Sequence, residues 1–171
     1  VLEIKENFTE AIKRFNELDI QIRNVENIDL SFIQLIESLR KTAEEYEKKI
    51  VLPEDFETDS GNISVTELPA GMTWDIGEKT RKRFVEEIEK ADAAVMKGPM
   101  GAFDQGYEKG SKAVVNALSG DLYAVLGGGH TSSLVQRFGH ELEEFSHVSI
   151  AGGAFVNYMS GKELAAVEAL K

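Results

Sequence analysis

Glycine-containing turns follow three short apolar runs in the second half of the chain, at residues 98–104, 127–131 and 151–154. Each turn leads from a predicted strand into a predicted helix. In such a turn the backbone N–H groups at the start of the helix can surround a phosphate. Three consecutive turns of this kind predict a phosphate or nucleotide site.

The middle turn contains the candidate ligand-binding residues Gly128, Gly129, His130 and Thr131. Glycines permit positive φ angles and a close approach of a ligand to the main chain. Thr131 lies at the predicted helix start, where its hydroxyl can cap the helix or contact a phosphate. Two interpretations remain open: a phosphate-binding loop, or a tight turn with a threonine cap and no ligand.

The first turn contains the candidates Lys97, Gly98, Pro99 and Asp104. Proline removes one backbone donor and stiffens the turn. Asp104 can accept hydrogen bonds from a ribose or cap a helix predicted at 104–118, and the spacing alone favours the cap. Lys97 can reach a phosphate or lie solvated at the strand end, and the solvated position is slightly favoured.

Gly152 and Gly153 in the last turn offer backbone donors to a ligand, or serve only close packing of a helix on a sheet. Other chemistry has no support in the sequence. The three histidines (His130, His140 and His147) lack metal-ligand spacing, and the chain has no cysteine, nucleophile elbow or Gly-Lys-Ser/Thr loop.

Helices are predicted in residues 1–48, the longer one at 29–48, followed by a buried strand at 49–53 and a loop or hairpin at 54–62. A strand at 72–77 leads into a helix at 78–90. Strands and helices then alternate: strands 93–96, 121–126 and 147–150, helices 104–118, 131–138 and 154–159. This alternation predicts one α/β domain over residues 1–171, a three-layer αβα sandwich with a parallel, Rossmann-like sheet, whose carboxyl edge binds ligands.

The composition is that of an ordinary globular domain: 171 residues, 42% hydrophobic and 29% charged. A net charge of −11 argues against nucleic-acid binding. The region of the turns, residues 97–134, holds equal numbers of acidic and basic side chains, which is compatible with a phosphate ligand. No apolar run is long enough to span a membrane and no secretory signal is visible, which predicts a cytoplasmic protein.

Read together, these segments resemble the C-terminal, nucleotide-binding domain of phosphoglycerate kinase. The similarity is clear from about residue 50 to the end, and the motifs occur in the family's order. They are Ile50–Phe56, Asp75–Thr80, Gly98–Asp104, Gly127–Thr131, Ser146–Ala154 and Gly161–Leu170.

The resemblance implies transfer of the acyl phosphate of 1,3-bisphosphoglycerate to Mg-ADP, and the reverse reaction, with ADP/ATP and Mg as cofactors. Asp104 then corresponds to the residue that holds the ribose, and the first two turns form the nucleotide-binding loops. Gly152 and Gly153 would donate backbone hydrogen bonds to the transferred phosphoryl group.

Five positions differ from the family's pattern: Asp104 replaces glutamate, Lys97 replaces asparagine, His130 replaces an aspartate that helps hold Mg, and Ile150-Ala151 replaces Thr-Gly. Nothing in the chain corresponds to the family's N-terminal, phosphoglycerate-binding domain. The sequence therefore predicts an N-terminally truncated kinase that does not complete the reaction alone. The alternatives are a non-catalytic nucleotide- or phosphate-binding module and a structural α/β domain.

Overall fold

The computed structural model describes residues 41–67, 72–159 and 161–170. The chain divides into two units, Val1–Leu52 and Pro53–Lys171. In the first unit residues 41–45 are helical, which confirms that part of the helix predicted at 29–48; the predictions for residues 1–40 lie outside the described residues. The strand predicted at 49–53 is wrong, because within it only Lys49 forms an isolated bridge.

The second unit begins with an antiparallel sheet of three strands, β1 (Asp55–Thr58), β2 (Gly61–Ser64) and β3 (Thr73–Ile76). The strand order is β2-β1-β3. A tight turn joins β1 to β2, and its Gly61 has a φ of 107°. The hairpin expected at 54–62 is therefore confirmed.

Helix α1 (Glu78–Ile88) is capped by a side chain from the antiparallel sheet. Its N-cap residue is Gly77, which has no side chain to accept hydrogen bonds from the first backbone N–H groups of the helix. The Asp55 carboxylate instead accepts hydrogen bonds from the backbone N–H groups of Lys79 (3.0 Å) and Thr80 (2.8 Å) and from the Thr80 hydroxyl (2.7 Å). Burial acts to raise the pKa of Asp55, but the hydrogen bonds from Thr80 and Lys79 lower it below its ordinary value.

Replacing Asp55 with asparagine is expected to lower the free energy of unfolding by about 2 kcal/mol at neutral pH, because a charged cap of helix α1 is lost. The lowered pKa means that the Asp55 carboxylate stabilises the fold above the ordinary pKa of 3.8, and that this contribution is lost as the pH falls through the lowered value. Urea unfolding at neutral and acidic pH measures both effects. Asp121→Asn, at an exposed position, serves as the control; an Asp55→Asn deficit that persists undiminished at low pH contradicts the assignment.

The rest of the second unit is built on a parallel sheet of β4 (Ala93–Lys97), β5 (Tyr123–Gly127) and β6 (His147–Ser149), in that order. Helix α2 (Lys109–Leu118) follows β4, α3 (Gly129–Arg137) follows β5, and α4 (Gly152–Met159) follows β6. A short helix, α5 (Ala165–Glu168), comes last. The predicted α/β fold with a parallel sheet flanked by helices is confirmed.

Helices pack on both faces of the parallel sheet. On one face Ala124 and Leu126 belong to a buried apolar cluster that also draws residues from β4, α2, α3 and the segment before β6. Its members are Met96, Val114, Val115, Leu118, Ala124, Leu126, Val135 and Phe145. Gly127 alternates with Leu126 and so faces the other side. There the Phe155 ring of α4 covers it. Val95 and Tyr123, which share that second face, are 48% and 62% exposed.

Two of the predicted helices begin earlier than expected, and one begins later. Helix α3 starts at Gly129 instead of 131, and α4 at Gly152 instead of 154. Helix α2 starts only at Lys109 instead of 104. Before it, residues Phe103–Gln105 form a 3-10 turn that ends at Gly106, whose φ is 88°. That left-handed residue interrupts the helix that the apolar spacing predicts.

Candidate functional site

The first two glycine turns meet through one buried hydroxyl. The backbone N–H of Gly98 donates to Thr131 Oγ1 over 2.9 Å, and Thr131 Oγ1 donates to the carbonyl of Gly127 over 3.0 Å. The rings of Phe103 and His130 add a contact between the same segments, edge to face with centroids 5.6 Å apart. The end of β4 and the start of α3 are therefore held together.

The second and third turns also meet. The N–H of Gly128 donates to the carbonyl of Ser149 over 2.8 Å. A Cβ atom on Gly128 would lie 4.0 Å from the Cα of Gly152, at the start of α4. All three turns thus come together at the carboxyl edge of the parallel sheet, as the sequence predicts.

The glycines at this edge fall into two groups. Gly98 and Gly128 have φ values of 88° and 102°, in the left-handed region that favours glycine. Gly129, Gly152 and Gly153 have no such requirement, and a Cβ on any of them would meet no described atom within 4 Å outside its neighbours and its own helix turn. Close helix packing among the described residues therefore does not account for Gly152 and Gly153. Among the described residues, no atom fills the space in front of these three glycines.

Two candidates are too deeply buried to contact a ligand through their side chains. Thr131 is 0% exposed, and its hydroxyl is used by Gly98 and Gly127. It lies in the first turn of α3, whose N-cap is Gly128, so the expected threonine cap or phosphate contact is corrected to an internal link between turns. Pro99 is also fully buried, so its side chain can only shape the turn around it.

The three remaining candidates with functional side chains are exposed at this edge. Lys97 ends β4, in register with Gly127 on β5. Asp104 lies in the 3-10 turn Phe103–Gln105, and because α2 begins at Lys109, its expected role as a helix cap is wrong. His130 is in the first turn of α3. One carboxylate, one ammonium and one imidazole thus accompany the glycines.

The sequence does not predict the two hydrogen-bond acceptors that hold the first turn, which are the Ser111 hydroxyl and the Trp74 carbonyl. The buried Ser111 hydroxyl accepts a hydrogen bond from the Met100 N–H over 2.8 Å, and the carbonyl of Trp74 accepts one from the Ala102 N–H over 2.8 Å. The Trp74 ring stacks on Tyr107 at 5.2 Å and donates from Nε1 to Asp59. No local pattern identifies Ser111, because its partner is eleven residues away in the preceding turn.

Within the part of the chain that the structure describes, no three His, Asp or Glu side chains group together as metal ligands. The exposed candidates contribute one carboxylate, Asp104. Mg²⁺ commonly binds through one or two carboxylates together with substrate phosphates. These donors fit Mg²⁺ carried mainly by the phosphates of a nucleotide, and they do not form a protein cage for it. Among the described helices, none has the length and apolar character needed to cross a membrane.

The fold and its edge define the class of protein: an α/β domain with a parallel sheet flanked by helices and glycine turns at the carboxyl strand ends. The sequence model of the phosphoglycerate kinase family matches residues 8–162. The chain therefore belongs to the phosphoglycerate kinase family.

Two curated relatives, both named phosphoglycerate kinase, illustrate the match. The protein of Methanopyrus kandleri is 34% identical over 142 residues, which cover 79% of this chain and 35% of the relative. The protein of Corynebacterium diphtheriae is 32% identical over 161 residues, which cover 85% of this chain and 40% of the relative. The chain thus spans well under half the length of these relatives.

Solved structures of phosphoglycerate kinases have the same fold. The enzyme from Coxiella burnetii matches with a TM-score of 0.77 at 21% identity, over 99% of this chain and 50% of that one. The enzyme from Pyrococcus horikoshii matches with a TM-score of 0.65 at 28% identity, over 98% and 43%.

Proposed function

We propose that this chain binds an adenine nucleotide, ADP or ATP with Mg²⁺, at the carboxyl edge of its parallel sheet, as the nucleotide-binding part of a phosphoglycerate kinase. The observation that carries the proposal is that no described atom fills the space in front of Gly129, Gly152 and Gly153. These glycines are required neither by their φ angles nor by packing among the described residues. A ligand that approaches the main chain closely accounts for them.

The edge supplies the groups that phosphoryl transfer needs. Catalysis of this reaction depends on positioning and on neutralising phosphate charge. The N–H groups in the first turn of α3, at Gly129 and His130, have no acceptor within the helix and can donate to nucleotide phosphates. Gly152 and Gly153, in the first turn of α4, can donate in the same way to the phosphoryl group that is transferred.

Side chains around the turns complete the proposed site. The ammonium of Lys97 neutralises phosphate charge, and the exposed Asp104 accepts hydrogen bonds from the ribose. Bound Mg²⁺ supplies charge neutralisation on the phosphates. The second substrate, 3-phosphoglycerate or 1,3-bisphosphoglycerate, binds in a part of the protein that this chain does not include, and the chain alone does not complete the reaction.

Calorimetric titration of the chain with ADP, in the presence and absence of Mg²⁺, tests the proposal. The wild-type chain is expected to bind ADP more tightly with Mg²⁺. Asp104→Ala is expected to weaken binding about tenfold, which corresponds to about 1.4 kcal/mol, because two ribose hydroxyls lose their acceptor.

Asp121→Ala is the matched control for the Asp104 variant. It removes the same charge from an exposed position that lies two residues before β5, at the amino end of the sheet. It is expected to leave ADP binding unchanged. Absence of ADP binding by the wild-type chain, or equal losses in the two variants, contradicts the proposed site.

A further inference from the structure

A buried carboxylate lies directly beneath the first glycine turn. Asp75, on β3, is 3% exposed. Its Oδ2 accepts a hydrogen bond from the N–H of Gly110 in α2 over 2.9 Å, and its Oδ1 accepts one from the N–H of Ile76 over 2.8 Å. A Cβ atom on Gly101 would lie 2.5 Å from Asp75 Cγ, so the turn packs against the carboxyl group without a side chain between them.

Asp75 joins the two elements that hold the turn. Its neighbour Trp74, on the same strand, accepts the hydrogen bond from Ala102. Ser111, which accepts the hydrogen bond from Met100, follows Gly110 in α2. The Asp75–Gly110 hydrogen bond connects β3 to the start of α2 directly under the turn.

Burial of the Asp75 carboxyl group costs free energy, which its hydrogen bonds partly offset. Burial raises the pKa of Asp75, while the hydrogen bonds from Gly110 and Ile76 act in the opposite direction. Among its close neighbours are two glycines that leave room for it: a Cβ on Gly110 would lie 2.3 Å from Asp75 Oδ1. The chain around Asp75 is therefore shaped to accommodate this side chain.

We propose that Asp75 is a positioning residue for nucleotide binding, which fixes the turn at 98–102 and the start of α2 without contacting the nucleotide. The proposal rests on the proposed nucleotide site. A turn held in its binding conformation does not lose conformational freedom when the ligand arrives, so preorganisation increases affinity. Loosening the turn makes ADP binding weaker even though every ligand-contacting residue is still present.

The test compares Asp75→Asn with Asp55→Asn. Both aspartates are buried on neighbouring strands of one sheet, and each accepts backbone N–H groups near the start of a helix. In Asp75→Asn the amide NH₂ group faces a backbone N–H, so one of the two hydrogen bonds is lost. Asp55 binds the start of α1 and none of the turn residues, which makes it a matched control for general destabilisation.

Two measurements on the full chain are made at a temperature where both variants are folded. Amide hydrogen exchange is expected to accelerate at least about tenfold at Gly98, Met100, Gly101, Ala102 and Gly110 in Asp75→Asn, and to stay as in the wild type there in Asp55→Asn. The dissociation constant for Mg-ADP is expected to rise about tenfold in Asp75→Asn and to change less than about twofold in Asp55→Asn.

Each result decides between the positioning role and its alternatives. Unchanged exchange at 98–102 in Asp75→Asn overturns the positioning role, as does a loss of ADP affinity of equal size in both variants. Faster local exchange with normal ADP affinity overturns the link to binding. If the wild-type chain binds no ADP, the proposed function fails and the link to binding fails with it, while the exchange data still decide whether Asp75 holds the turn.

Discussion

Replacing Gly127 with alanine is expected to lower the free energy of unfolding by about 3 kcal/mol, through overpacking of a buried position. A Cβ atom at Gly127 would lie 2.3 Å from Cδ1 and 2.4 Å from Cε1 of Phe155. Phe155 is 9% exposed, so its ring has little room to move aside. Relief requires α4 to shift away from the sheet. Urea unfolding followed by circular dichroism measures the loss.

The double variant Gly127→Ala/Phe155→Leu separates overpacking from other causes. A smaller side chain at 155 makes room for the new methyl group, so the double variant is expected to lose less stability than the sum of the single variants, by at least about 1 kcal/mol. Gly129→Ala is the control glycine, because a Cβ there meets no described atom within 4 Å. It is expected to change stability by less than about 0.5 kcal/mol. Additive losses in the double variant contradict the contact between Gly127 and Phe155.

The parallel half of the fold was predictable because its signals are local. Short apolar runs that end in glycine mark β4, β5 and β6, and the carboxyl ends of parallel strands necessarily share an edge. The grouping of the three turns follows from that topology alone. The positive φ angles at Gly98 and Gly128 are also a local property, because a tight turn with positive φ favours glycine at that position.

The antiparallel sheet and the late start of α2 depend on non-local contacts. Strand β3 pairs with β1 and not with β2, the strand that precedes it in the chain. The start of α1 is capped by Asp55, which is 25 residues from Thr80 in sequence. At α2, the Tyr107 N–H turns back to the carbonyl of Ala102, and Gly106 stops the helix that the spacing at 104–118 predicts.

The sequence predicts that the three turns share one edge of the sheet, but it does not predict the roles of the buried residues there. Sequence patterns place Thr131 near the start of a helix, but they do not show that its hydroxyl accepts a hydrogen bond from Gly98. No sequence pattern marks Asp75 or Ser111 as site residues, because their hydrogen-bond partners, Gly110 and Met100, are distant in the chain. The ligand roles proposed for Lys97, Asp104 and His130 remain predictions.

Thr131→Val is expected to weaken Mg-ADP binding roughly thirtyfold and to lower the free energy of unfolding by about 2 kcal/mol. Valine has the shape of threonine but lacks the hydroxyl that accepts from Gly98 and donates to Gly127. Thr131 is 0% exposed among the described residues, so solvent water does not reach this position to replace the two hydrogen bonds. The first turn and the start of α3 then separate, and a misplacement of about 1 Å between positioned groups costs a large factor. Calorimetry with Mg-ADP and urea unfolding measure the two effects.

Two controls make the Thr131 result specific to the link between the turns. Thr131→Ser keeps the hydroxyl and is expected to retain ADP affinity within about threefold of the wild type, with a small loss of stability from the missing methyl group. Ser133→Ala removes a hydroxyl that donates to the carbonyl of Gly129 from an exposed position on the same helix. Ser133→Ala is expected to leave ADP affinity unchanged and to change the free energy of unfolding by no more than about 0.5 kcal/mol, as is typical of surface substitutions. If Thr131→Val binds ADP as tightly as Thr131→Ser, the link that the buried hydroxyl makes between the turns does not contribute to ADP affinity. The backbone N–H groups of the glycine turns would then have to account for that affinity without it.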